Sequence, residues 1–307
     1  MHAIEISDFV KNYGQISAVN GVSLSVKQGE LFGIIGPDGA GKTTLLRSIC
    51  TLLKPTSGKI ILSGKDVSKE ITGIRQILGY MPQRFSLYQD LTSQQNLLFF
   101  ADLFQVPREE REDRLQRLYS FSKLEPFKNR VAGQLSGGMK QKLALSCALI
   151  HTPEILILDE PTFGVDPLSR QEFWEILKSI QQEGTTILVS TAYMEEAELC
   201  DRIALMHKGK IVRIGEPEEI RQLYPYPLYR ITANNLQEIR DFFKKQKMVQ
   251  QIHLFGNAIH LSFKNHPADS DWKRWQQETS NNLTSWTPHP PSIEDVFMDI
   301  MTEDEKS

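Results

Sequence analysis

Eight consecutive residues constrain this chain more than any others. Gly36-Pro37-Asp38-Gly39-Ala40-Gly41-Lys42-Thr43 fits G-x-x-x-x-G-K-[ST]. The apolar run Leu31-Phe32-Gly33-Ile34-Ile35 precedes it and reads as a buried strand. Thr44 to Leu53 follows with apolar residues at helical spacing. A glycine-rich turn from strand into helix aims successive backbone N–H groups at one point, and the helix N-terminus adds about half a positive charge. The stretch Gly36 to Thr44 is therefore expected to cradle the phosphates of a nucleoside triphosphate. Lys42 would reach the β- and γ-phosphates, and the Thr43 hydroxyl would ligate Mg²⁺.

Length and composition leave room for more than this loop. A chain of 307 residues with 40% hydrophobic and 24% charged residues suggests two soluble domains with full cores. A formal charge of -3 lacks the basic excess of a nucleic-acid surface, so no nucleic-acid partner is expected. Cys50, Cys147 and Cys200 are odd in number, widely spaced and in apolar contexts, which predicts buried thiols in a reducing compartment. The start, Met1-His2-Ala3-Ile4-Glu5-Ile6, has no signal-peptide pattern, and no run nears the roughly 18 apolar residues of a membrane span. The expected location is cytoplasmic, with any membrane role supplied by a partner.

Short strands are predicted at Ala3 to Ile6, at Ala18 to Val26 with a turn at Asn20-Gly21, at Leu31 to Ile35, Lys59 to Leu62 and Ile77 to Met81. A helical insertion runs from about 86 to 133, with helices at Ser93 to Phe104 and Arg108 to Phe121. Strands return at Glu154 to Leu158 and Thr185 to Val189. Between them Asp166 and Pro167 open a helix as N-cap and first residue, and Gly184 sits just past its end. A hairpin around Lys208-Gly209 closes this first domain, 1–222. The prolines of Leu223-Tyr224-Pro225-Tyr226-Pro227 mark a linker. The second domain, 228–307, reads as strand, helix (Leu236 to Lys247), hairpin at Gly256-Asn257, helix with Trp272 and Trp275, strand, then a helix from Ile293. That is a βαββαβ order, a small α+β domain. The fold class is α/β: a P-loop domain with a mixed sheet and helical insertion, plus this small α+β C-terminal domain.

Two further motifs narrow the chemistry. Asp159 and Glu160 end the apolar run Ile155 to Leu158, which puts Asp159 near a metal and Glu160 beside an attacking water. Leu135-Ser136-Gly137-Gly138-Met139-Lys140-Gln141 opens a second helix whose N-terminus would face an anion, in a chain with a single P-loop. Here the sequence resembles the ATP-binding cassette family, whose signature is LSGGQ; Met139 replaces the glutamine, as in the drug-export branch. The resemblance covers about residues 3 to 222. It implies that Ser136, Gly137 and Gly138 serve the nucleotide of a second cassette across a head-to-tail dimer. It also implies that Tyr13 stacks on adenine, that Gln83 touches Mg²⁺ and leads into the insertion, and that Asp166 lies at the dimer interface. Asp38 stands where Asn or Ser is commoner, and pointed outward it is tolerable.

The tail stretch Pro291-Ser292-Ile293-Glu294-Asp295-Val296-Phe297 is similar to the close of bacterial export ATPases. By this resemblance the chain is an export ATPase subunit, peripheral on the inner membrane face, partnered by a multi-span permease and a second cassette, homo- or heterodimeric. One position departs. After Ser190-Thr191 the family places a histidine that bonds the γ-phosphate, and this chain has Ala192. His151 and His207 lie elsewhere and read as surface histidines. An asymmetric pair, like the first half of tandem export ATPases, would account for Ala192, and so would a substitution made to trap ATP. A soluble non-transport cassette ATPase, or a regulatory subunit with little hydrolysis, are the alternatives.

Overall fold

Burial on both faces explains the central strands. In the computed structural model, which describes residues 1–84 and 86–304, every residue of β3 (Leu31–Ile35), β7 (Ile155–Asp159) and β8 (Thr186–Thr191) is buried. Such unbroken apolar runs belong in a parallel sheet covered on both sides. The chain divides into two compact units, Met1–Pro217 and Glu218–Ser307. Residues 305–307, the end of the expected second domain, lie outside the described residues.

The first unit begins with β1 (His2–Tyr13), β2 (Ile16–Lys27) and β3, then α1 (Lys42–Ile49), β4 (Ser57–Leu62), β5 (Lys65–Asp66), α2 (Ile71–Ile77) and β6 (Leu78–Met81). The insertion supplies α3 (Ser93–Leu103) and α4 (Arg108–Ser122), and α5 (Gly137–Leu149) returns to the core before β7. There follow α6 (Pro167–Gln182), β8, β9 (Arg202–His207) and β10 (Lys210–Gly215). Six strands form the main sheet in the order β10-β9-β3-β8-β7-β6, parallel except for the antiparallel edge β10. A second, antiparallel sheet runs β2-β1-β4-β5. Phe9, Val26, Phe32, Ile34, Leu45, Ile49 and Ile157 share one buried cluster, so α1 is packed by residues of both sheets. Each such side chain removed from water contributes about 1.5–3 kcal/mol.

Local chemistry sets the helix ends. The Thr92 side chain accepts a hydrogen bond from Gln95 N, and Gln95 Oε1 accepts one from Thr92 N, a capping box that starts α3. Asp166 accepts from Ser169 N at 2.9 Å and Pro167 opens α6, as the sequence predicts; Gly184, at φ 99°, follows its end. Three expectations need correction. Asn20-Gly21 is no turn: β2 runs through it, and a register shift against β1 makes it a bulge, with Gly21 at φ 68°. Ile77 ends a helix rather than starting a strand. The helix from Leu236 stops at Phe243 instead of Lys247, because the backbone tightens into turns that end with Val249 N on Gln246 O.

The second unit begins within α7 (Pro217–Gln222) and continues with β11 (Leu228–Ala233), α8 (Leu236–Phe243), β12 (Val249–Phe255), β13 (Ala258–Phe263), α9 (Asp269–Glu278), β14 (Leu283–Pro288) and α10 (Ile293–Asp304). Its sheet, β12-β13-β11-β14, is antiparallel throughout, the arrangement expected of a split βαβ. Ile259, Leu261 and Phe263 of β13 pack with Ile239, Phe243, Trp272 and Trp275 of α8 and α9. His260 on the alternate face of β13, and Gln251 on β12, bond α10. His260 Nδ1 lies 2.9 Å from Asp295 Oδ1, and Gln251 Nε2 donates to Asp299 Oδ1 at 2.5 Å.

Candidate nucleotide-binding site

The loop after β3 is shaped by what surrounds it. A Cβ on Gly36 would sit 2.2 Å from Met206 O, and one on Gly41 would sit 2.5 Å from Ala18 O, with Gly41 at φ 105°. Only glycine fits at either position. Gly209 N also donates to Ala40 O at 2.9 Å, so the β9–β10 turn clamps the loop from outside. Lys42 begins α1 and is 3% exposed. Its ammonium donates to Gly36 O at 2.7 Å and Pro37 O at 3.1 Å, and it pairs with Glu160 Oε1 at 3.0 Å.

The acids arrive from the end of β7. Thr43 Oγ1 and Ser190 Oγ both donate to Asp159 Oδ1, at 3.0 and 2.9 Å. Burial pushes the Asp159 carboxyl above its ordinary range, and those two hydrogen bonds draw it back only in part. Its buried Oδ2 has no hydrogen-bond partner among the described residues. An unsatisfied carboxylate oxygen beside a threonine hydroxyl suits a hard, oxygen-loving cation such as Mg²⁺. Gln83 Nε2 donates to Glu160 Oε2 at 2.8 Å, which brings Gln83 to the same place. Ala18, Asp38, Gly39, Ala40, Gly41, Lys42, Thr43, Thr44, Gln83 and Glu160 line one cleft of about 340 Å³. Asp38 is exposed at its rim.

Glu160 has an unusual backbone. Its φ of 48° lies in the left-handed region, which costs a residue with a Cβ about 1–3 kcal/mol unless neighbours over-determine it. Its N–H donates to both the carbonyl and the hydroxyl of Ser190, each at 3.1 Å. Ser190 was no candidate in the sequence; the only available signal was a hydroxyl residue ending a buried strand. Thr162 was missed likewise. Its hydroxyl donates to Glu196 at 2.7 Å, and Arg170 pairs with Glu196 and lies 4.0 Å over the Tyr193 ring.

Other predicted residues lie apart from the cleft. Tyr13 ends β1, 47% exposed, with the Lys11 ammonium 5.2 Å from its ring centre. Ser136 caps α5 through Met139 N, and Gly137 follows exposed. Gly138 packs so closely on α6 that a Cβ would lie 2.5 Å from Ser169 Oγ. Ala192 follows β8, partly exposed. His207 is half-buried, and His151 corrects the surface reading outright. It stacks on Phe104 with ring centres 3.7 Å apart, and Nε2 lies 3.1 Å from Leu78 O. Cys50, Cys147 and Cys200 are free and buried.

Comparison with known proteins points to one family. A family model described as ABC transporter matches residues 19–163. The chain is 39% identical over 287 residues to the probable multidrug ABC transporter ATP-binding protein YbhF of Escherichia coli (strain K12), covering 92% of this chain and 49% of that protein. It thus spans about half the length of that relative. Against the Nod factor export ATP-binding protein I of Rhizobium sp. (strain N33) it is 35% identical over 298 residues, 96% of each chain. Among solved structures, cbiO1 from Clostridium perfringens, part of the transporter complex cbiONQ, aligns with a TM-score of 0.67 at 29% identity, covering 72% of this chain and 91% of that one. A dimeric ATP-binding cassette in a post-hydrolysis state, bound to ADP and Pi, aligns at 0.63 and 30% identity over 69% of this chain and 98% of that one. The chain belongs to the ABC transporter family, as one of its ATP-binding proteins.

Proposed function

We propose that this chain is the ATP-hydrolysing subunit of an export transporter, working at an interface shared with a second cassette and driving a multi-span permease. One observation carries the proposal: Lys42, Thr43, Gln83, Asp159 and Glu160, drawn from three separate segments, converge on the cleft under the P-loop. Lys42 and the loop N–H groups would hold the phosphates of ATP. Thr43 and Asp159, with Gln83 beside them, would hold Mg²⁺, which when bound offsets the charge of the β- and γ-phosphates. Glu160 is the residue we assign to align the attacking water and take up its proton. Tyr13 would stack on the adenine.

The N-terminus of α5, with Ser136 and Gly137 exposed, would face the γ-phosphate held by the partner cassette. Export is the reading that the names of the multidrug and Nod factor relatives favour, and neither name fixes a substrate for this chain. No helix among the described residues is long and apolar enough to cross a membrane, in keeping with attachment through the permease at its inner face. The absent histidine at Ala192 favours a second reading, in which the chain hydrolyses ATP slowly itself and mainly completes its partner's site.

The test is Lys42→Ala. It removes a buried ammonium whose charge-assisted bonds to phosphate are worth about 1.5–3 kcal/mol each, so ATP affinity should fall at least about tenfold. Unchanged affinity by titration calorimetry would refute the assignment of the cleft.

A further inference from the structure

We infer that Ser190 is a positioning residue for hydrolysis: its hydroxyl fixes the Glu160 peptide and ties it to the carboxylate assigned to the cation. The inference rests on the reading of Glu160 as the residue that aligns water. Ser190 is fully buried on β8 and meets two neighbours at once. Its Oγ accepts the Glu160 N–H at 3.1 Å and donates its proton to Asp159 Oδ1 at 2.9 Å. The Ser190 carbonyl also accepts from Glu160 N, at 3.1 Å. Thr43 Oγ1 bonds the same Asp159 oxygen, so a chain Thr43–Asp159–Ser190–Glu160 joins the loop to the acid.

The conformation of Glu160 makes this constraint matter. A glutamate at φ 48° is not held there by its own preference, and a rotation about its Cα redirects the carboxylate. Two acceptors on one residue pin the N–H side of that peptide. From the other side Lys42 and Gln83 hold the carboxylate, at 3.0 and 2.8 Å. Strand β8 ends beside the loop as well, where Gly36 N donates to Thr191 O at 3.2 Å. In a chain with Ala192, the side chain from this strand end that reaches Glu160 is the hydroxyl of Ser190.

The experiment uses the full chain with Mg²⁺ and ATP, comparing Ser190→Ala, Ser190→Thr, Glu160→Gln and the parent. Ser190→Ala should lower kcat about 10- to 100-fold, as expected for losing hydrogen bonds to a charged group, while KM for ATP stays within about twofold. Ser190→Thr restores a hydroxyl on a strand position that favours branching at Cβ, and should recover most of the rate. A merely structural serine would shift thermal stability without this split or this rescue. Ser190→Ala with parental kcat, or parallel loss of kcat and ATP affinity, overturns the inference, as does a threonine variant as slow as alanine. Glu160→Gln separates the two readings: if it turns over at the parental rate, the role of Glu160 fails; if it stops turnover while Ser190→Ala does not, only the role of Ser190 fails. Should Ser190→Ala fail to fold, Ser190→Cys keeps the volume with a weaker donor and must show an intermediate rate.

Discussion

Acid should loosen the helical insertion through His151. The imidazole lies flat on Phe104, just beyond α3, with its Nε2 on the Leu78 carbonyl of β6, so it fastens the insertion to the core sheet. Burial is the main cause that pushes its pKa down, from 6.5 to about 4; the Leu78 bond opposes the shift and the nearby Arg114 adds to it. With the proton on Nε2, a second proton would go to Nδ1, which is buried with no partner among the described residues. The folded state therefore resists protonation while the unfolded chain accepts it below pH 6.5. Stability from this group is complete above pH 6.5 and lost as pH falls toward 4. At 1.36 kcal/mol per unit the whole shift is worth about 3 kcal/mol, and about 1 kcal/mol is gone by pH 5.5. His151→Phe keeps the stacking and removes the titration. Denaturant unfolding of parent and variant at pH 7.5 and 5.5 reads the difference. The parent should lose about 1 kcal/mol more than the variant between these values, and equal losses would refute the reasoning.

Four further outcomes are expected. Glu160→Gln should keep ATP affinity, lower turnover about 10²- to 10⁴-fold and accumulate as an ATP-bound dimer, read by a coupled ATPase assay and size exclusion. Gly138→Ala sets a Cβ 2.5 Å from Ser169 Oγ and should cost about 1–3 kcal/mol in chemical denaturation, a loss that adding Ser169→Gly relieves. Asp295 is buried, which raises its carboxyl, yet bonds from His260 and Ser292 outweigh that and hold it below its ordinary range. Its stabilisation is present above the unfolded value and lost as pH falls through the lower folded one; Asp295→Asn should cost the second unit about 1.5–3 kcal/mol, followed by tryptophan fluorescence. Ala192→His should raise turnover of the isolated chain by about 10- to 100-fold, and no gain would show that its own site does not need the histidine.

The strand–loop–helix from Leu31 to Ile49 was legible because three independent signals agree there, an unbroken apolar run, a glycine-rich turn and helical spacing, although the spacing carried the expected helix on to Leu53, past its end. Asp159 and Glu160 were legible because two acids directly after four apolar residues are hard to place anywhere but a strand end. Asn20-Gly21 misled because the dipeptide that makes a hairpin turn also makes a bulge, and only the partner strand decides which. His151 was read as exposed since nothing near it in sequence foretells the Phe104 ring, brought there by the insertion. Ser190 was invisible for a similar reason. Its value lies in two acceptors and one donor aimed at residues of another strand, and a lone serine carries no trace of that. The bond between His260 and Asp295 was hidden too, because a lone histidine in a strand gives no sign of which acid, 35 residues further on, will meet it.

The clamp on the P-loop has a thermodynamic consequence. Ordering a residue costs about 1–2 kcal/mol of conformational entropy, and a loose phosphate loop would lose that freedom each time it closed on a ligand. Here Met206 O, Ala18 O and the Gly209 N–H already confine Gly36, Ala40 and Gly41 when the chain folds. Phosphate then meets a rigid cradle, and its uptake should show little change in heat capacity beyond that of the surface it covers. The turn at Lys208-Gly209 touches no phosphate in this scheme, yet loosening it would weaken affinity entirely through entropy.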